Sequence, residues 1–157
     1  MARTYSLVFR SELRASSAVV WAAVGTMNGV NEELGPWLRM TVPPEASEMH
    51  LDEAPLGTPL FSSWVLLGGL VPIDRHHFML SAVEHGRGFL EDSTSWTQRR
   101  WQHQRSVEPS GEQACIVTDR LTFTPRLSPM GPLLARIIGA VFRRRHARLA
   151  ERFTGQG

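Results

Sequence analysis

The sequence predicts an α+β domain in which a curved antiparallel sheet of about seven strands holds one long C-terminal helix. Two observations support this fold class. The C-terminal part of the chain contains two long amphipathic strands joined by a tight turn, roughly Gln98–Glu108 and Gln113–Pro125. One amphipathic helix follows, roughly Gly131–Phe153. Because a bent sheet around a single helix leaves a hollow between them, the layout favours binding of an apolar small molecule.

One strand and two short helices are predicted near the N-terminus. Alternating apolar residues over Tyr5–Arg14 indicate the strand. Ser16 or Ser17 can cap a helix that runs through Met27, where Asn28-Gly29 ends it. A shorter helical turn follows at about Val30–Leu34. Further strands are predicted over about Leu60–Gly68, Ile73–Glu84 and Gly88–Trp96.

The segment Pro43–Pro59 is rich in proline and acidic residues, which predicts a loop. It is longer than most loops in compact domains, and long loops often serve as lids over binding sites. We therefore expect this segment to form a lid or part of the mouth of the hollow.

Length and composition are those of one globular domain. The chain has 157 residues, enough for a single domain over 1–157 with a hydrophobic core. Its net charge is only +2, and its 17 basic residues are all arginine. Cys115 is the only cysteine, so no intrachain disulfide can form. No apolar run reaches the roughly 20 residues of a membrane span, so we expect a cytoplasmic chain with no integral membrane segment.

The two long strands place a carboxylate on an apolar face. Side chains alternate between the two faces along a strand. The residues that share the inward face are Arg99, Trp101, His103, Arg105 and Val107 in the first strand and Cys115, Val117, Asp119, Leu121 and Phe123 in the second. With the turn at Pro109–Glu112, His103 lies opposite Asp119, or Trp101 does in the register two residues away.

An inward Asp119 needs partners, because an unpaired buried carboxylate is costly. His103 and Arg105 are the natural candidates. One hypothesis makes Asp119 and His103 a polar anchor or a catalytic base for a cyclisation. The other makes the pair a structural ion pair that fixes the strand register.

The predicted ligand-binding residues combine apolar walls with polar anchors. In the terminal helix, Ile138 belongs to the apolar stripe, and Arg145 falls inside that stripe. Arg145 either meets a carboxylate or phosphate of the ligand or extends its head into water. The full set is Trp64, Phe78, Trp101, His103, Asp119, Leu121, Phe123, Ile138 and Arg145.

Several motifs of the chain resemble those of a known superfamily. The motifs are Ala18-Val19-Val20-Trp21 in the first helix, Phe89 with Glu91, Arg99-Arg100-Trp101-Gln102-His103, Val117-Thr118-Asp119-Arg120-Leu121, and Gly131-Pro132-Leu133-Leu134 with Phe142-Arg143-Arg144-Arg145 in the terminal helix. Their order is similar to that of the SRPBCC, or START-like, superfamily with its Bet v 1-type helix-grip fold. The motifs resemble an uncharacterised bacterial subgroup that is polyketide cyclase/dehydrase-like. This resemblance implies a helix-grip fold, which hosts transporters, sensors and enzymes.

Three functional hypotheses follow. The first is binding of a hydrophobic or amphipathic small molecule, such as a lipid or polyketide, without chemistry. The second is a polyketide cyclase or aromatase-like enzyme that uses Asp119 and His103. The third is an interaction module that uses the basic run Arg143–Arg148.

We expect no cofactor and no metal. The adjacent His76 and His77 point to opposite faces of a strand and cannot both bind one ion. The expected partner is a hydrophobic small molecule and not a nucleic acid, and the sequence leaves a homodimer open.

Overall fold

The structure, a computed structural model, describes residues 2–154. Its strands are β1 (Tyr5–Leu13), β2 (Leu38–Met40), β3 (Pro59–Leu67), β4 (Val71–Glu84), β5 (Gly88–Ser95), β6 (Gln98–Gly111) and β7 (Ala114–Pro125). They form one antiparallel sheet in the order β1-β7-β6-β5-β4-β3-β2. The helices are α1 (Ser17–Val24), α2 (Met27–Leu34) and α3 (Gly131–Thr154). The predicted α+β helix-grip fold is confirmed. None of the described helices combines the length and the apolar composition that crossing a membrane requires.

The boundary between α1 and α2 differs from the prediction. Helix α1 begins after Ser16, as expected, but ends at Val24, and the side chain of Thr26 caps α2 by accepting from the backbone of Gly29 at 3.1 Å. Gly29 therefore lies inside a helix and does not end one. A Cβ at this position would clash with the backbone carbonyl of Ala23, so glycine permits the close approach of α2 to α1.

The sequence did not locate strand β2, which has only three residues. The side chain of Asn31 holds it by bonding both backbone groups of Met40, at 2.8 Å and 3.0 Å. The predicted loop over Pro43–Pro59 contains two short 3-10 turns, at Pro44–Ala46 and Leu51–Glu53, before β3 begins. Its role as a lid stays a prediction.

The β6–β7 hairpin has the predicted faces in a different register. Arg105 lies directly opposite Asp119, and His103 lies opposite Leu121. The turn falls at Glu112 and Gln113, closer to β7 than predicted, and this shifts the pairing by two residues. A shift of two residues keeps every inward side chain on the same face.

A register irregularity at the start of β6 corrects one further expectation. It lies between Gln98 and Arg100. Strict alternation predicts an inward Arg99, yet Arg99 is exposed and Gln98 is buried. The irregularity therefore brings a polar amide to the inner side of the sheet.

Helix α3 packs across the concave side of the sheet, with its two halves in different surroundings. Leu149 joins the larger core cluster with α1 and the β6–β7 hairpin, and Phe142 packs on Leu121 and Phe123. The N-terminal half of α3 contributes Leu134, Ile137, Ile138 and Val141 to a cavity. The N-terminal half of α3 thus borders the cavity and also packs against part of the core.

Candidate functional site

A cavity of about 480 Å³ lies between the sheet and the helices α2 and α3. Its volume falls within the range typical of small-molecule pockets. Most of its wall is apolar, and the aliphatic and aromatic lining residues include Val30, Leu34, Met40, Leu60, Phe61, Val65, Ile73, Phe78, Leu80, Phe89, Trp101, Leu134, Ile137, Ile138, Val141 and Phe142. Loop residues Ala46, Met49 and Leu51 also contribute.

Five of the predicted ligand-binding residues line this cavity, namely Phe78, Trp101, His103, Ile138 and Arg145. The four other predicted residues lie elsewhere, for three separate reasons.

Trp64 is on the opposite face of β3 from the cavity-lining Phe61 and Val65. It packs edge-to-face against Trp96 with ring centroids 4.9 Å apart and lies under the guanidinium of Arg75 at 4.6 Å. Trp64 therefore does not line this cavity, contrary to its predicted place in the wall.

Leu121 and Phe123 belong to the packed core. Both are buried against Phe142, and Phe123 stacks on Tyr5 with centroids 5.6 Å apart. Strand β1 and helix α3 cover them, so they support the cavity wall from behind. Asp119 is also behind the wall, with 0% exposure, shielded by His103 and Arg105, which do line the cavity.

Asp119 is the centre of a buried polar network. Arg105 donates to both of its oxygens, at 2.8 Å and 2.7 Å. His103 and His146 donate through Nε2 at 2.7 Å and 2.8 Å. Burial opposes the charged form of Asp119, but attraction to Arg105 and His103 and their hydrogen bonds outweigh it, so its pKa lies well below the usual range.

Arg105 connects Asp119 to helix α2. Its two terminal nitrogens donate to Glu33 at 2.9 Å and 2.7 Å, and Arg145 of α3 donates to the same carboxylate at 3.1 Å. Burial of Glu33 opposes its ionisation, but the two guanidiniums more than compensate and lower its pKa. Arg145 is thus part of an intramolecular ion pair.

A third buried carboxylate, Glu91, lies beside two histidines. It bonds Nε2 of His76, and Nδ1 of His103 lies 3.7 Å from its other oxygen. Ser93 donates to Glu91 at 2.6 Å and accepts from the backbone of Met79 at 3.1 Å. Burial raises the pKa of Glu91, but attraction to His76, the hydrogen bond from His76 and the nearby His103 are together stronger, so its pKa is lowered.

The cavity has a further polar group where β4, β5 and β6 meet. Asp74 accepts from the hydroxyls of Ser95 and Thr97 at 2.9 Å and 2.6 Å. Gln98 lines the cavity beside them. This group, together with His76 and Glu91, forms the polar end of an otherwise apolar cavity.

Sequence reasoning missed several of these polar residues. Alternation along β4 and β5 places His76 and Glu91 on one side of the sheet, so a signal for both existed. No local signal identified Glu33, because its role depends on how α2 docks against α3. Gln98 was hidden by the irregularity at the start of β6.

The network limits the chemistry available to Asp119. All its partners are donors, and a carboxylate with a strongly lowered pKa is a weak base.

Within residues 2–154, no group of three or more His, Cys, Asp or Glu side chains is arranged to hold a metal ion. Burial raises the pKa of the Cys115 thiol, which lies in the core.

A sequence family model matches residues 11–153, nearly the whole chain, and is described as "Domain of unknown function (DUF8410)". No curated protein matches the chain significantly.

Solved structures with the same fold are very different in sequence. The Zhui aromatase/cyclase from Streptomyces sp. R1128 is 7% identical, with a TM-score of 0.69 over 96% of this chain and 93% of that chain. A START superfamily protein from Mycobacterium smegmatis is 10% identical, with a TM-score of 0.66 over 94% and 96%. A norcoclaurine synthase point mutant from Thalictrum is 12% identical, with a TM-score of 0.66 over 96% and 94%. The chain therefore belongs to the family described as DUF8410, and it has the helix-grip fold of these solved structures.

Proposed function

We propose that this protein binds a hydrophobic or amphipathic small molecule in the cavity between the sheet and helix α3, without catalysing a reaction. The observation that carries the proposal is the cavity of about 480 Å³ with a predominantly apolar wall. Burial of apolar ligand surface there would supply the main driving force for binding. The fold agrees with the binding of a small molecule, because the similar structures include a START superfamily protein and an aromatase/cyclase.

The state of Asp119 supports binding over catalysis. The enzyme hypothesis requires a base that reaches the ligand, and Asp119 is fully buried behind Arg105 and His103. Nε2 of His103 is bonded to Asp119, and its Nδ1 faces Glu91. Asp119 is therefore out of reach of a bound molecule, and His103 is held between two carboxylates.

The contacts of the basic run also favour the cavity over an interaction surface. Arg145 pairs with buried Glu33, Arg144 lies over the ring of Trp37 at 5.7 Å, and Arg148 donates to a backbone carbonyl of α2 at 3.0 Å. Because these arginines already contact groups of the same chain, they are less available to a nucleic acid or an acidic protein than the sequence of the basic run suggests.

Solvent extraction of freshly purified protein, followed by mass spectrometry, tests the proposal directly. A mock purification from cells without the protein provides the blank. We expect an apolar compound in near-stoichiometric amount. A blank extract alone would leave open a ligand that the host cells lack, so a binding assay with a supplied probe is needed beside it.

The uncharged fluorophore N-phenyl-1-naphthylamine serves as that probe. Ile138→Trp places a larger ring in the cavity and should weaken probe binding by about ten-fold or more. Leu133→Trp is the matched control, because Leu133 lies on the same helix but is 55% exposed and outside the lining. If the wild-type protein does not bind the probe, or if both variants bind it equally well, the cavity is not the binding site.

A further inference from the structure

Gln98 places a buried side-chain amide at the polar end of the cavity. It is 4% exposed and lines the cavity. Its backbone N–H donates to Ser95 Oγ at 3.0 Å, which fixes the position of the residue. Its side-chain oxygen has no hydrogen-bond partner among the described residues. Because an unpaired buried amide destabilises a folded protein, a ligand that satisfies it would explain its presence.

His76 offers a second polar atom in the same cavity. Its ring is 8% exposed and packs between Phe78 and Trp101, with centroids 4.4 Å and 6.2 Å away. Glu91 bonds Nε2 and thereby fixes the ring, while Nδ1 has no hydrogen-bond partner in residues 2–154. One nitrogen of a rigidly held imidazole is therefore available to a molecule in the cavity.

The charges around these two atoms oppose an anionic ligand. Asp74 and Glu91 both line this end of the cavity; Glu91 pairs with His76, whereas Asp74 forms no ion pair with another described residue. The two guanidiniums in the wall, Arg105 and Arg145, are paired with Glu33. A hydroxyl suits such surroundings, because it is uncharged and can donate one hydrogen bond and accept another.

We propose that the polar end of the cavity, formed by Asp74, His76, Glu91 and Gln98, binds the hydroxyl group of an uncharged apolar ligand and discriminates against the corresponding carboxylate. This inference rests on the proposed function, because it assigns the ligand class of the same cavity. The apolar wall holds the body of the ligand, and the hydroxyl exchanges hydrogen bonds with His76 Nδ1 and the Gln98 amide.

Three probes that share the naphthalene ring system test this assignment: naphthalene, 2-naphthol and 2-naphthoate. Each is used to displace N-phenyl-1-naphthylamine from the protein. We expect 2-naphthol to bind about ten-fold more tightly than naphthalene, which corresponds to two net hydrogen bonds. The weakest binding is expected for 2-naphthoate, because the carboxylate of Asp74 has no cationic partner among the described residues and would repel it.

The variant Gln98→Leu tests whether Gln98 causes the preference for the hydroxyl group. This variant should reduce the advantage of 2-naphthol over naphthalene by about three-fold or more, measured as the ratio of the two affinities in the same variant. Its midpoint of urea unfolding without ligand should also rise, because an unpaired buried amide is replaced by an apolar side chain. Gln102→Leu is the matched control, since Gln102 lies on the other face of β6 and outside the cavity.

The outcomes separate the two proposals. If the fluorophore binds but 2-naphthol has no advantage over naphthalene, the cavity is a ligand site and the hydroxyl assignment is wrong. The assignment also fails if 2-naphthoate binds best, because Arg145 would then be the anchor, or if Gln98→Leu and Gln102→Leu behave alike. Absence of fluorophore binding to the wild-type protein would overturn the proposed function itself.

Discussion

Arg105 and Asp119 face each other across the β6–β7 hairpin, and the guanidinium of Arg105 donates to both carboxylate oxygens of Asp119 at 2.8 Å and 2.7 Å. The pair is fully buried and joins the sheet to α2 through Glu33 and to α3 through His146. Removing one charge from such a pair leaves the other without compensation. The network should therefore be sensitive to single substitutions.

Asp119→Asn should lower the free energy of unfolding by about 3–5 kcal/mol, because Arg105 and two histidines lose a charged acceptor in a buried site. Urea denaturation followed by circular dichroism measures the change. The control is Asp92→Asn, which removes the exposed pair of Asp92 with Arg100, at 3.1 Å. Exposed pairs contribute little, so the control should remain near wild type. Equal losses in the two variants would contradict a stabilising role for the network.

Stability should fall steeply in acid. The pKa values of Glu33, Glu91 and Asp119 are lowered from ordinary values of 4.5, 4.5 and 3.8. Because the unfolded chain binds protons more readily than the folded one, their contribution is complete above about pH 5 and is lost as the pH falls below it. Midpoints of urea unfolding between neutral pH and about pH 3 measure this loss.

Glu91→Gln provides the comparison for the acid titration, because it replaces one of the three carboxylates with a group that does not titrate. This variant should be less stable than wild type at neutral pH and should show a shallower decline in acid. A decline as steep as that of wild type would mean that Glu91 does not contribute to the acid sensitivity.

Two helical glycines should respond to alanine with opposite signs. Gly29→Ala should destabilise the protein by about 1–3 kcal/mol, because the added Cβ clashes with the backbone of α1. At Gly139 in α3 the tightest contact would be the end of the flexible Arg143 side chain, 3.3 Å away. Gly139→Ala should therefore stabilise by about 0.5–1 kcal/mol through helix propensity. Thermal unfolding of both variants checks the sign of each change, and two losses of similar size would contradict the argument.

Much of the fold was predictable because it depends on local patterns. Alternation identified the inward faces of β1, β6 and β7. The faces of β6 and β7 remained correct although the predicted register differed by two residues, because such a shift keeps each side chain on the same face. The exact pairing was not predictable, since it depends on where the hairpin turns. The α1–α2 boundary was missed because a capping side chain, Thr26, outweighed the apparent break at Asn28-Gly29.

The candidate site was harder to predict because it draws on several distant elements. Asp119, His103 and Arg105 could be associated from one hairpin. Glu33, by contrast, reaches Arg105 across 72 residues of sequence, and only the docking of α2 brings them together. Trp64 was misplaced because nothing in the sequence of β3 alone fixes which of its faces meets the cavity. Local patterns thus define faces, whereas the network depends on tertiary packing.

Phe142 separates the cavity from the core and should respond to truncation in two ways. Its ring is 3% exposed and lies 5.7 Å from Phe9, 6.3 Å from Trp101 and 5.2 Å from His103, centroid to centroid. Phe142→Ala should lower the free energy of unfolding by about 3–5 kcal/mol, since it removes a large buried side chain. The change should also extend the cavity toward Leu121 and Phe123 and so increase the affinity for probes larger than N-phenyl-1-naphthylamine.

The control is Phe142→Leu, which keeps most of the side-chain volume. It should show a smaller loss of stability and little change in the preferred size of the probe. If Phe142→Ala unfolds as easily as predicted but binds large probes no better, the space would have collapsed, and Phe142 would be a core residue without influence on the cavity.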